Sequence, residues 1–68
     1  MDKKGIEKDM RAFTGSGFIT KRRFADYMGV KDARYVSKYL EGLDRASGQY
    51  YFIPDVAESI AKIDSLMR

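Results

Sequence analysis

The chain contains neither cysteine nor histidine in its 68 residues. Without cysteine, no disulfide and no thiolate metal site can staple so short a chain. Without histidine or cysteine, the commonest general bases and activated nucleophiles are missing as well. Ten carboxylates remain, scattered among 13 basic side chains with no pair set apart by its spacing. Gly15-Ser16-Gly17 is too short for a phosphate-cradling loop, which needs a longer glycine pattern ending in lysine. A non-enzymatic protein is therefore expected, with no catalytic residue, cofactor or metal ion. No apolar run approaches the roughly 18 residues that span a bilayer. The first nine residues, Met1 to Asp9, lack the apolar stretch of a signal peptide. No membrane partner is expected, and a cytoplasmic location is the default.

One small domain accounts for the length. A chain of this size buries only about 60% of the surface its unfolded form exposes, so its core is thin. Hydrophobic residues make up 44% of the chain and aromatics 13%, so that core must draw on Tyr and Phe. The net charge of +3 is unevenly spread. Residues 1–18 carry four basic and three acidic groups, and residues 46–68 carry two basic and three acidic. Residues 19–45 carry seven basic groups (Lys21, Arg22, Arg23, Lys31, Arg34, Lys38, Arg45) against four acidic ones (Asp26, Asp32, Glu41, Asp44). The middle segment thus holds the whole excess, as a polyanion footprint would, although a solvated basic face has the same composition.

Along the chain, Ile6, Met10 and Phe13 fall at i, i+4 and i+7, predicting an amphipathic helix near 2–13. Thr14-Gly15-Ser16-Gly17 stops it, and Phe18-Ile19 reads as a short extended step, one strand of a small sheet. Thr20 is an N-cap for a helix over 20–28 with Phe24, Ala25 and Met28 facing inward. Gly29 suits the left-handed position that ends it, and Val30 follows as a buried plug. Asp32 caps a third helix over 32–42, in which Val36, Tyr39, Leu40 and Leu43 form an inward stripe. Ala46-Ser47-Gly48 is turn chemistry, and Tyr50 to Ile53 is aromatic and β-branched. Together with a less regular stretch around Asp44 and Arg45, these predict a hairpin over 44–53. Pro54-Asp55 opens a last helix over 55–67, with Asp55 and Glu58 at capping-box spacing and Val56, Ile60, Ile63 and Met67 on its apolar face.

The segment Phe24 to Val30 puts a small residue four positions before a glycine, and an apolar residue after it. Two helices crossing at a steep angle need this arrangement: Ala25 lets them approach, Gly29 takes the turn and Val30 fills the angle. With Ile19-Thr20 before it, Val36-Ser37-Lys38-Tyr39-Leu40 after it, and Gly48 to Pro54 leading into the last helix, the chain resembles the excisionase-like and MerR-type winged helix-turn-helix families. The resemblance covers about Phe18 to Ile63. It implies a mostly helical domain with a small β-hairpin: a helix-turn-helix over 20–42, a wing over 43–53, a C-terminal helix over 55–67 and an added N-terminal helix over 1–14. It also implies site-specific binding of double-stranded DNA, as a phage or mobile-element architectural factor or as a small transcription regulator. Self-association on adjacent sites, or an integrase-like or transcription partner, goes with that implication.

A clue independent of the family lies in Lys21, Arg22 and Arg23, which occupy a first helical turn. The dipole disfavours cations there by about 0.3–1 kcal/mol each. Such placement makes sense where a phosphate docks on the free N–H groups, although a solvated basic turn tolerates the same cost. On the third helix, Arg34, Tyr35, Ser37 and Lys38 point away from the apolar stripe, and Lys31 sits at its entrance. Arg and Lys can reach guanine O6 and N7 in a major groove, while Tyr and Ser can donate to phosphates. The other reading is an ordinary exposed face on which Arg34 and Lys38 pair with acidic neighbours and Tyr35 packs at the rim of the core. The expected contact set is Thr20, Lys21, Arg22, Arg23, Lys31, Arg34, Tyr35, Ser37, Lys38 and Arg45. The aromatic cluster Tyr50-Tyr51-Phe52 is expected mainly to fill the core, a stacking platform for single strands being the lesser reading. The alternative class of function is a protein-interaction module whose basic face binds an acidic partner.

Overall fold

The computed structural model describes residues 3–66, with side chains through residue 63. Met67, expected on the apolar face of the last helix, lies outside the described residues.

The first helix, α1 (Lys3–Thr14), buries Ile6 and Met10 and packs chiefly on the last helix, α4 (Ile53–Leu66). Gly15, at φ 72°, then turns the chain into strand β1 (Phe18–Thr20). Helix α2 (Lys21–Met28) begins where expected: the Thr20 hydroxyl oxygen accepts from the Arg23 N–H at 3.1 Å. It ends on Gly29 at φ 76°, whose N–H donates to the Asp26 carbonyl while the Val30 N–H donates to that of Ala25. This pair of bonds is the Schellman closure that a left-handed glycine permits. Val30 is partly rather than fully buried, packed against the core.

The third helix is shorter and less regular than the expected 32–42. A 3-10 turn, Ala33–Val36, leads into a single α-turn, α3 (Ser37–Leu40). The physical cause is its start. Asp32 caps by accepting the Arg34 N–H two residues on, and its carbonyl accepts the Tyr35 N–H three residues on, so the chain winds tightly from the outset. Gly42, at φ 83°, follows the far end. The inward stripe survives: Val36, Tyr39 and Leu40 are buried, and the Phe24 and Tyr39 rings meet edge to face at 5.8 Å.

Strand β2 (Tyr50–Phe52) pairs antiparallel with β1, in the register Phe18 to Phe52, Ile19 to Tyr51 and Thr20 to Tyr50. The class is thus the expected one, mostly helical with a small two-stranded antiparallel sheet, compatible with a winged helix. The pairing within it differs. Residues 43–45 form no strand, and the connection is a tight turn with one bridge, Ser47 to Tyr50, in which the Ala46 N–H donates to the Tyr50 carbonyl. Asp44, Arg45 and Ala46 offer no β-branched or aromatic side chain to a ladder, whereas Phe18-Ile19-Thr20 does. The expected wing is therefore a turn leading into a sheet whose first strand runs directly into α2.

Alternation along this sheet sends Ile19 and Tyr51 inward and Phe18, Tyr50 and Phe52 outward. The last three are 41%, 49% and 45% exposed, so only Tyr51 of the Tyr50–Phe52 cluster serves the core as expected. The Ile53 N–H donates to the Gly17 carbonyl, and α4 starts there, two residues before the Pro54-Asp55 start read from the sequence. Asp55 accordingly lies inside the first turn instead of capping it, and Glu58 pairs with Lys3 of α1 at 3.8 Å. Ile53, Val56, Ala57 and Ile60 complete an all-apolar core. No helix among the described residues is long and apolar enough to cross a membrane.

Candidate nucleic-acid interface

The first turn of α2, the turn before β2, and α3 meet along one strip of surface. Lys21 and Arg22 from α2, Arg45 and Gln49 from the turn, and Tyr51 from β2 line a depression of about 310 Å³. A second one, also about 310 Å³, continues it with Lys21, Ser37, Lys38, Leu40, Glu41 and Tyr51. Lys21 and Tyr51 line both, so the two depressions adjoin as one shallow groove.

The charges along this groove are poorly compensated. Lys21, Arg22, Lys38 and Arg45 make no ion pair among the described residues, and Glu41 is the carboxylate on the wall. The first turn of α2 holds three cations and no acid, which leaves its outward N–H groups and its side chains adding potential of one sign. Beyond α3 the balance changes. A depression of about 390 Å³ lined by Lys38, Glu41, Asp55, Glu58 and Lys62 mixes both signs and is a poor host for a polyanion.

Of the ten expected contact residues, five converge here: Lys21, Arg22, Ser37, Lys38 and Arg45. Thr20 stands at the head of α2, where its oxygen is committed to the cap. Arg23 turns instead toward α1. Its Nη2 donates to the Phe13 carbonyl at 3.5 Å, its Nη1 lies 3.8 Å from Asp26, and its guanidinium sits 4.5 Å above the Phe13 ring. Lys31 is exposed and without an ion pair among the described residues, but does not line the groove. Tyr35 is 70% exposed, so it does not pack at the rim of the core.

Arg34 is exposed but not free. Asp32 Oδ2 accepts from its Nε at 2.9 Å and from its Nη2 at 2.6 Å. These bonds, with the Arg34 backbone N–H behind them, hold the Asp32 carboxyl below its ordinary range; the positive charge of Lys21 acts the same way. The Lys38 ammonium lies over the Tyr39 ring at 5.0 Å.

Four groove residues lay outside the expected contact set: Leu40, Glu41, Gln49 and Tyr51. Gln49 carries no signal beyond its place in a turn. For Tyr51, alternation sets it on the face opposite Tyr50 and Phe52, but only the structure shows that this face meets α2. Compared with known proteins, the chain matches no family model, no curated protein and no solved structure.

Proposed function

We propose that this chain binds double-stranded DNA without chemistry, seating a phosphate backbone in the groove between α2 and the turn at residues 45–49. The observation that carries the reading is the convergence of four cations, Lys21, Arg22, Lys38 and Arg45, without ion pairs among the described residues, on one strip shared with Tyr51. Such a strip suits a polyanion, because each phosphate neutralised releases condensed counterions. The helix-turn-helix geometry adds support. The Gly29 turn presents the 33–40 segment as an outward ridge beside the groove, with Arg34, Tyr35, Ser37 and Lys38 on it, and a ridge of this kind is what enters a major groove. Phosphate contacts would set the position on the duplex, and the ridge would read the bases. An excisionase-like architectural factor and a small transcription regulator would use the same contacts. A cytoplasmic location fits either role.

The test is a titration of fluorescent duplex against salt. Four phosphate contacts give a slope of log affinity against log salt of roughly −3 to −4. A second reading is a protein-interaction module whose basic face binds an acidic partner. That the chain docks on proteins at all is favoured by one observation, the exposed aromatic face of Phe18, Tyr50 and Phe52, since interface cores are enriched in such residues. Absence of duplex binding at low salt would leave that reading in possession.

A further inference from the structure

The Asp32–Arg34 pair does more than cap a turn. One carboxylate holds the same residue at two points. Its Oδ1 accepts the Arg34 backbone N–H at 2.9 Å, and its Oδ2 accepts Nε and Nη2 at 2.9 and 2.6 Å. The Arg34 side chain is nevertheless 87% exposed. Its inner edge is thus fixed, while both N–H groups of Nη1 and the outer N–H of Nη2 face solvent with no partner among the described residues. That outer edge is the planar fork that matches the O6 and N7 acceptors of guanine.

We propose that Asp32 is a positioning residue which presents Arg34 as a preorganised guanine reader. The inference rests on the duplex-binding reading above and names the base that one residue of the ridge selects. Three features support it. An arginine already held in one rotamer loses less freedom on docking than a loose one. A phosphate approaching Arg34 also meets the negative charge of Asp32, whereas a base edge, being neutral, does not. The pair's charges cancel, so it adds little to sequence-independent attraction, which the groove cations supply. Lys21, whose charge reaches Asp32, ties the pair to the groove's rim.

The experiment uses the whole chain and two probes: a duplex selected by the wild-type chain from a random pool, and a random-sequence duplex. Guanines of the selected duplex are replaced singly by 7-deazaguanine, which lacks the N7 acceptor. At one position the wild type should lose roughly tenfold in affinity. Asp32→Asn keeps a capping side chain but loses the charge, and should lose clearly less than the wild type on that replacement, while Arg34→Ala should be indifferent to it. Asp32→Asn should also bind random duplex as tightly as the wild type or more so, because a cation is uncovered. Asp32→Ser, a second capping residue without charge, should behave alike, and melting curves verify that each variant folds.

Full sensitivity to 7-deazaguanine in Asp32→Asn overturns the inference. So does a parallel loss on both probes, which marks a structural role only. A wild type that binds duplex without selecting any sequence also overturns it while leaving the duplex reading in place. No binding to any duplex overturns both.

Discussion

Ile19 stands opposite Tyr51 in the antiparallel ladder, the one buried in the core and the other packed against the core while lining the basic groove. The core and the groove are therefore joined through a single pair of strands. Tyr51→Ala should broaden the groove and weaken duplex binding, while Tyr51→Phe, which keeps the ring, should bind like the wild type. Equal loss in both variants would show that the hydroxyl, and not the ring, matters.

The two sides of the third helical segment should respond oppositely to truncation. Leu40→Ala removes a buried side chain and should cost about 2–5 kcal/mol, enough to unfold a domain of small margin. Tyr35→Ala, on the exposed side, should change stability by no more than about 0.5 kcal/mol. Thermal melts of the pair check the orientation of the segment. An unchanged melting temperature for Leu40→Ala would contradict it.

At Gly29 no neighbour lies within 4 Å of the position an added Cβ would take, so any penalty there is purely conformational. With φ at 76°, Gly29→Ala should destabilise by about 1–2 kcal/mol. Gly29→Asn, which tolerates the left-handed region, should cost less. Denaturant midpoints at constant slope separate the two.

Asp32 provides a test by pH. Its carboxyl titrates low because it accepts hydrogen bonds from the Arg34 guanidinium and then from the Arg34 N–H. A depressed carboxyl contributes stability above its unfolded value and loses it as pH falls through the folded one. Because the group is solvent-exposed, the effect on global stability should be small and the effect on the local turn readable. Carboxyl-carbon NMR should place Asp32 below the ordinary aspartate value, and Arg34→Ala should bring it back up toward that value. An unchanged titration would mean that the bidentate contact is not kept in solution.

What was legible in the sequence was mostly local. The Thr20 cap, the Gly29 turn, the Asp32 cap and the Val36/Tyr39/Leu40 stripe each depend on residues within one or two turns, and each is found in the structure. The partner of β2 was not legible as such. Strand pairing is decided across the whole helix-turn-helix, and a Tyr-Tyr-Phe run has two faces that alternation alone cannot assign to core or solvent. The start of α4 was misplaced for a similar reason, since the Ile53 N–H is claimed by Gly17, far away in sequence. Composition pointed to the segment whose cations line the groove, but not to how neighbouring cations are divided between the groove and α1. Arg22 and Arg23 are neighbours of the same type. Helical rotation leaves one on the groove wall and takes the other to Phe13.

That division gives the most direct test of the central claim, the dependence of duplex affinity on salt in wild type and three variants. Arg22→Ala and Arg45→Ala should each flatten the slope by roughly one unit and weaken random and selected duplexes alike. Arg23→Ala should leave the slope unchanged and lower the melting temperature only slightly, as loss of an exposed cation–π contact of about 0.5–1 kcal/mol requires. A wild-type affinity insensitive to salt, or a slope unaltered by removing Arg22 and Arg45, would contradict the account.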